Sequence, residues 1–183
     1  MRTRFVMPLL LLSVLITPII TGCIGLVPAR EFLEGMRDEP KPSSETDEVV
    51  VSHIFTTISP QLFTPPADNF MVDEHVTEIS AYLSVQNFLS EQTEFFPNET
   101  RYVSAILTDY AGNKVWEEEV SETSTILETQ LQPPFAEGEW TLQVEARGYG
   151  EEILGQFQDT FHIVITIERS CTIYPLDEGC SYD

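Results

Sequence analysis

Gly138, Glu139, Trp140, Thr141, Leu142, Gln143, Val144, Glu145 and Ala146 form the run that decides the fold. Trp140, Leu142, Val144 and Ala146 alternate with Thr141, Gln143 and Glu145, and a period of two belongs to a strand with one buried face. The spacing predicts a strand over Glu139–Ala146, entered through Gly138. Downstream, Thr160–Glu168 repeats the pattern, with Phe161, Ile163, Ile165 and Ile167 on one face and His162, Val164 and Thr166 on the other. Upstream, Ser124–Leu131 reads as a strand that stops at Pro133 and Pro134, since proline cannot donate to a ladder.

Further upstream, Tyr102–Thr108 and Lys114–Val120 flank Asp109, Tyr110, Ala111, Gly112 and Asn113, which predicts a hairpin. Val76–Gln86 is another strand, with Ile79, Ala81, Leu83 and Val85 facing the core. The first strand is expected over Val49–Ile58. Between these two, Ser59–Glu74 reads as a long connection, because Pro60, Pro65, Pro66 and Asp68 oppose regular pairing. No segment after residue 48 carries a sustained helical period. Seven strands over about 120 residues, separated by turn clusters, predict an all-β fold: an antiparallel two-sheet β-sandwich. A body of this size buries roughly two thirds of its unfolded surface, enough for one core.

The Gly-x-Trp-x-Leu-x-Val run at Gly138–Val144, followed by Phe161, Ile163 and Ile165, resembles the last two strands of immunoglobulin-like and jelly-roll sandwich modules. The turn at Asp109–Trp116 is similar to their mid-domain hairpin. The resemblance implies a fold and leaves the two topologies open; it carries no catalytic residue, so it implies no activity.

At the other end of the chain, Arg2 and Arg4 precede an apolar stretch, Phe5 to Ile20, and then Thr21, Gly22 and Cys23. This is the layout of a signal peptide over residues 1–22. Ile20, Thr21, Gly22 and Cys23 resemble the lipobox of prokaryotic lipoproteins, and the resemblance implies a diacylglyceryl thioether on Cys23 as the first mature residue. Sixteen residues interrupted by Pro8 and Pro18 are short for a membrane span, which needs about 20. Two acyl chains anchor firmly where one is marginal. The expected location is therefore the extracytoplasmic face of a prokaryotic membrane, with the membrane itself as one partner.

Thirty acidic residues against nine Lys and Arg give the chain a net charge of −21. Loss of Arg2 and Arg4 with the signal leaves seven scattered basic residues, so nucleic acid is excluded as a partner and an anionic bilayer surface repels the folded part. Such acidity serves either a cationic partner or simple solubility in salty surroundings, and the second reading asks for less. Residues 23–48 read as a lipidated N-terminus and an acidic Pro/Ser linker: Asp38 to Glu48 contains no large apolar residue and is expected to stay extended and solvated. Phe32, Leu33 and Met36 can make one amphipathic turn before it. Residues 49–169 then form the sandwich, and residues 170–183 a tail. In an oxidising exterior Cys171 and Cys180 are expected to form a disulfide that closes a short loop, worth about 3 kcal/mol in the chain-entropy model.

Chemistry is harder to find. His53, His75 and His162 lie on separate elements without ligand spacing, no serine sits in a Gly-x-Ser-x-Gly elbow, and no cofactor motif is present. Asp68, Asp73 and Glu74 could collect calcium but lack the spacing of a calcium loop. Phe95, Phe96, Tyr110, Trp116 and Tyr149 fall in or beside loops and are the candidates for contact with an extracellular protein or glycan. Asn98, Glu99 and Thr100 form a glycosylation sequon. The expected function is a membrane-anchored binding or structural module and not an enzyme; the alternative is a small hydrolase or calcium-dependent module whose residues converge only in three dimensions.

Overall fold

The computed structural model describes residues 30, 32–33, 35–87, 101–151, 158–175 and 179–182. The signal segment, Cys23, Phe95, Phe96 and the Asn98 sequon lie outside them. The chain divides into two units, residues 1–41 with 174–178, and residues 42–173 with 179–183. In the first, Phe32 and Leu33 are helical, and the Met36 N–H donates to the Leu33 carbonyl at 3.2 Å. Among the described residues no helix is long and apolar enough to cross a membrane.

Among the described residues nine strands build an antiparallel two-sheet β-sandwich, all but Lys41 lying in the second unit: β1 (Lys41–Ile54), β2 (Gln61–Phe63), β3 (Asp68–Val72), β4 (Val76–Gln86), β5 (Tyr102–Thr108), β6 (Lys114–Val120), β7 (Ser124–Leu131), β8 (Gly138–Gly148) and β9 (Thr160–Ile173). One sheet has the order β1-β9-β4-β7; the other has β2-β8-β5-β6, with β3 also paired to β8. In an immunoglobulin-like sandwich the last two strands share a sheet. Here β8 and β9 lie in different sheets, so that alternative falls. With β2 and β3 counted as one interrupted strand, the chain crosses between two four-stranded sheets in jelly-roll order.

Alternation builds the core. Opposite one another across β4 and β9 lie Ile79 and Ile167, Ala81 and Ile165, Leu83 and Ile163, and Val85 and Phe161. In the other sheet Val103 faces Ala146, Ala105 faces Val144, and Leu107 faces both Leu142 and Trp116. All of these are buried, and each large side chain withdrawn from water contributes about 1.5–3 kcal/mol. The alanines leave room for the larger residues beside and across from them, as close packing requires.

Two segments depart from expectation. Pairing starts at Lys41 and not at Val49, and β9 runs on to Ile173 past Glu168. β1 is an outer strand, so its ladder needs only backbone groups, and the apolar content that residues 41–48 lack is not required there. Polar side chains hold it: the Arg169 guanidinium donates to the Asp47 carboxylate, and the Tyr182 hydroxyl to that of Glu45. The tail beyond β9 turns back, with Thr172 and Ser181 exchanging backbone hydrogen bonds at 2.9 Å beside the Cys171–Cys180 disulfide.

The expected connection Ser59–Glu74 also contains strands. β2 pairs with Ala146–Gly148 and β3 with Gly138–Leu142, both on the same side of β8. Prolines disrupt central strands, but Pro60 precedes β2, and Pro65 and Pro66 fall between β2 and β3 on a sheet edge, where a missing N–H costs little.

The predicted hairpin forms as β5 and β6. Gly112 takes φ of +81°, a conformation that a side chain resists. The Asp109 carboxylate accepts from Ala111 N, Asn113 N and Asn113 Nδ2 at 2.8–2.9 Å, and these bonds, that from the Asn113 side chain foremost, hold its pKa below the ordinary carboxylate range.

Candidate functional site

The broken edge strand opens the site. The registers of β2 and β3 leave Gln143, Val144 and Glu145 of β8 without a partner on that side. Residues 64–67, stiffened by Pro65 and Pro66, span the gap, and beneath them the outer face of the sheet forms a hollow of about 550 Å³. Thr64, Pro65 and Ala67 wall it; Tyr102, Ser104 and Ile106 of β5 form its floor; Gln143 and Glu145 of β8 and Glu119 of β6 stand around them. Ser104 lies opposite Glu119 on one side and Glu145 on the other, so the three form one row across the sheet. The Tyr102 hydroxyl donates to Glu145 Oε1. That bond, then burial and the Glu145 charge, raises the Tyr102 pKa, so the phenol stays protonated. The hollow is thus rich in hydrogen-bond acceptors and has an apolar patch at Ile106; among the described residues no Lys, Arg or His lines it, and Arg147 lies beside it in register with Tyr102.

The aromatic candidates separate. Tyr110 is 63% exposed at the hairpin tip. Trp116 and Tyr149 do not form a surface strip: they are only 6% and 5% exposed. Trp116 faces inward opposite Leu107, because its position in β6 has the parity of the core side. Tyr149 follows β8 at one end of the sandwich, where the Arg101 guanidinium lies 5.1 Å from its ring centroid. There Asp159 Oδ2 accepts from Tyr149 N at 2.9 Å and lies 3.5 Å from Arg101 Nε, an ion pair with both side chains at most 2% exposed.

The calcium candidates do not converge. Asp68 pairs within β3, while Asp73 lies 3.3 Å from Arg169 Nε and accepts from the His75 N–H at 3.0 Å. Among the described residues no three metal-capable side chains come together. None of the histidines lines the hollow. His53 is stacked on Phe63 at 4.0 Å and meets Phe55 edge-on at 4.7 Å; His75 packs near Tyr182; His162 faces Tyr82 on the outer side of the other sheet.

Burial lowers the His53 pKa below its ordinary 6.5, since its ring is withdrawn from water. The unfolded chain therefore takes up this proton first as pH falls, so the contribution of neutral His53 to stability is complete above about 6.5 and is lost as pH drops through the depressed folded value. Thermal melts between about pH 8 and pH 5 should show a smaller acid-side decline for His53→Phe than for the parent protein. Superimposable profiles would contradict this assignment.

In the sequence Gln143 and Glu145 alternate with the core residues of their strand, and Tyr102, Ser104 and Ile106 fall in a predicted strand with no face assigned; none of the five is a site candidate there. A signal was present: Tyr102 and Ile106 are large side chains on the outer face of β5, and Pro65-Pro66 lies between the apolar pair Leu62-Phe63 and the apolar run Phe70–Val72.

No protein-family model matches the chain, and no curated protein matches it. Among solved structures, the VP2 subviral particle of infectious bursal disease virus covers 76% of this chain at 10% identity with a TM-score of 0.22. The structure of the Gx strain of that virus covers 80% at 11% identity with a TM-score of 0.19. The chain spans 43% and 45% of those chains. At such scores the likeness does not bear on fold or function.

Proposed function

We propose that the chain is an extracytoplasmic lipoprotein, held to the membrane by an acylated Cys23, whose jelly-roll body acts as a binding module for an extracellular protein or glycan. The hollow on the outer face of the β8–β5–β6 sheet is the observation that carries this reading. A structural sheet needs no such opening: an unbroken edge strand would cover β8 more fully, whereas the paired prolines trade part of the ladder for a concave polar surface. The lipobox supports the anchor, and the acidic surface keeps the body soluble while the lipid holds it.

Two variants test the two halves. Cys23→Ser should abolish incorporation of labelled palmitate into the protein; labelling equal to that of the parent would refute the anchor. The double variant Glu119→Ala/Gln143→Ala alters exposed strand positions and should keep the parent melting temperature to within a few degrees. Components that co-purify with the detergent-extracted parent should be lost from this variant. Their full retention would refute the hollow as the recognition surface.

A further inference from the structure

We infer that the hollow is a subsite for one ring of a neutral saccharide, a deepening that rests on the recognition reading above. Glu119, Ser104 and Glu145 occupy one row on three adjacent strands. Neighbouring strands are about 4.8 Å apart, so the two carboxylates rise from positions about 10 Å apart with the smaller serine between them. A six-membered sugar ring laid across the row can give a hydroxyl hydrogen bond of about 2.7 Å to each side.

The next row is Glu117, Ile106 and Gln143. Ile106 offers an apolar floor for the C–H face of the ring, and the Gln143 amide both donates and accepts, as a ring bearing adjacent hydroxyls requires. Pro65 and Ala67 close one side without adding charge. The Tyr102 phenol already donates to Glu145, which holds that carboxylate in place and leaves the phenol oxygen as a further acceptor. Glu119 and Glu145 stand in the hollow itself and disfavour phosphate, sulfate and uronic-acid sugars there, with Arg147 placed one row away, in register with Tyr102.

The test uses the full lipidated chain in a sugar-free zwitterionic detergent and saturation-transfer NMR with maltose, cellobiose, lactose and mannobiose. Digalacturonate and trilysine serve as comparison probes. At least one neutral disaccharide should receive saturation on its ring protons, Glu119→Ala/Gln143→Ala should weaken that binding at least tenfold, and Glu128→Ala on the other sheet should leave it unchanged. Absence of transfer to all four disaccharides, equal binding by the double variant, or equal binding of digalacturonate would overturn the inference. Trilysine binding that the double variant abolishes, with no disaccharide binding, would overturn the saccharide assignment while supporting recognition at the hollow. Retention of every co-purifying component by the double variant would overturn the recognition reading itself.

Discussion

Asp159→Ala should destabilise the sandwich by about 3–5 kcal/mol, because it removes a buried counter-charge from beside the Arg101 guanidinium. Arg101 and Asp159 are each 1% exposed, their nearest charged atoms are 3.5 Å apart, and the same carboxylate accepts the Tyr149 N–H. The Asp159 backbone adds to the knot: its N–H donates to the Tyr149 carbonyl at 2.9 Å, and its carbonyl accepts from Phe55 at 3.0 Å. The substitution thus removes a counter-charge and a backbone partner where three chain segments meet. Replacing both ions, as Arg101→Met/Asp159→Leu, should recover part of the loss, since it removes the buried charge together with its counter-charge. Urea unfolding of the three proteins separates these outcomes; an Asp159→Ala midpoint equal to that of the parent would contradict the assignment.

Trp140→Ala should cost a similar amount, about 3–5 kcal/mol, by a different route. Trp140 is 2% exposed, with ring centroids 6.1 Å from Phe70 on β3 and 6.2 Å from Phe135 in the loop before β8. Its Nε1–H donates to the Ala136 carbonyl at 2.7 Å. Removing the indole leaves a cavity, an unsatisfied carbonyl, and two aromatic rings without the surface they pack on. Tyr110→Ala at the exposed hairpin tip should change stability by no more than about 0.5 kcal/mol. Urea unfolding of the pair gives the comparison, and equal losses for the two would contradict the burial described here.

The difference between these two aromatics shows where sequence reasoning succeeds. β4, β5, β6 and β7 occupy the predicted residues, Val76–Gln86, Tyr102–Thr108, Lys114–Val120 and Ser124–Leu131, because each is bounded by turn chemistry and most alternate over their length. Alternation also put Ile79, Leu83, Leu142, Ile163 and Ile165 in the core, and short loop closure paired Cys171 with Cys180. The outer strands were less legible. Residues 41–48 pair through backbone groups that every sequence possesses, and β2 and β3 are too short to display a period beside their prolines.

The site was least legible, since it arises from what pairs with what. Neither Glu119 nor Gln143 differs chemically from a solvated strand residue; only the missing partner beside residues 143–145 makes the surface concave. The Arg101–Asp159 pair is likewise a long-range encounter between residues 58 positions apart, for which no local pattern exists. Trp116 and Tyr149 adjoin turns and read in the sequence as contact candidates, but strand parity carries Trp116 inward, and Tyr149 packs against the Arg101 guanidinium at the end of the core.

The central claim is that Pro65 and Pro66 interrupt an edge strand and thereby open the hollow on β8. Cross-strand nuclear Overhauser contacts test it most directly. The account predicts contacts linking Phe70 with Trp140 and Phe63 with Ala146, and no ladder contacts between residues 64–67 and 143–145. A continuous ladder from Gln61 to Val72 along β8 would close the hollow and contradict it.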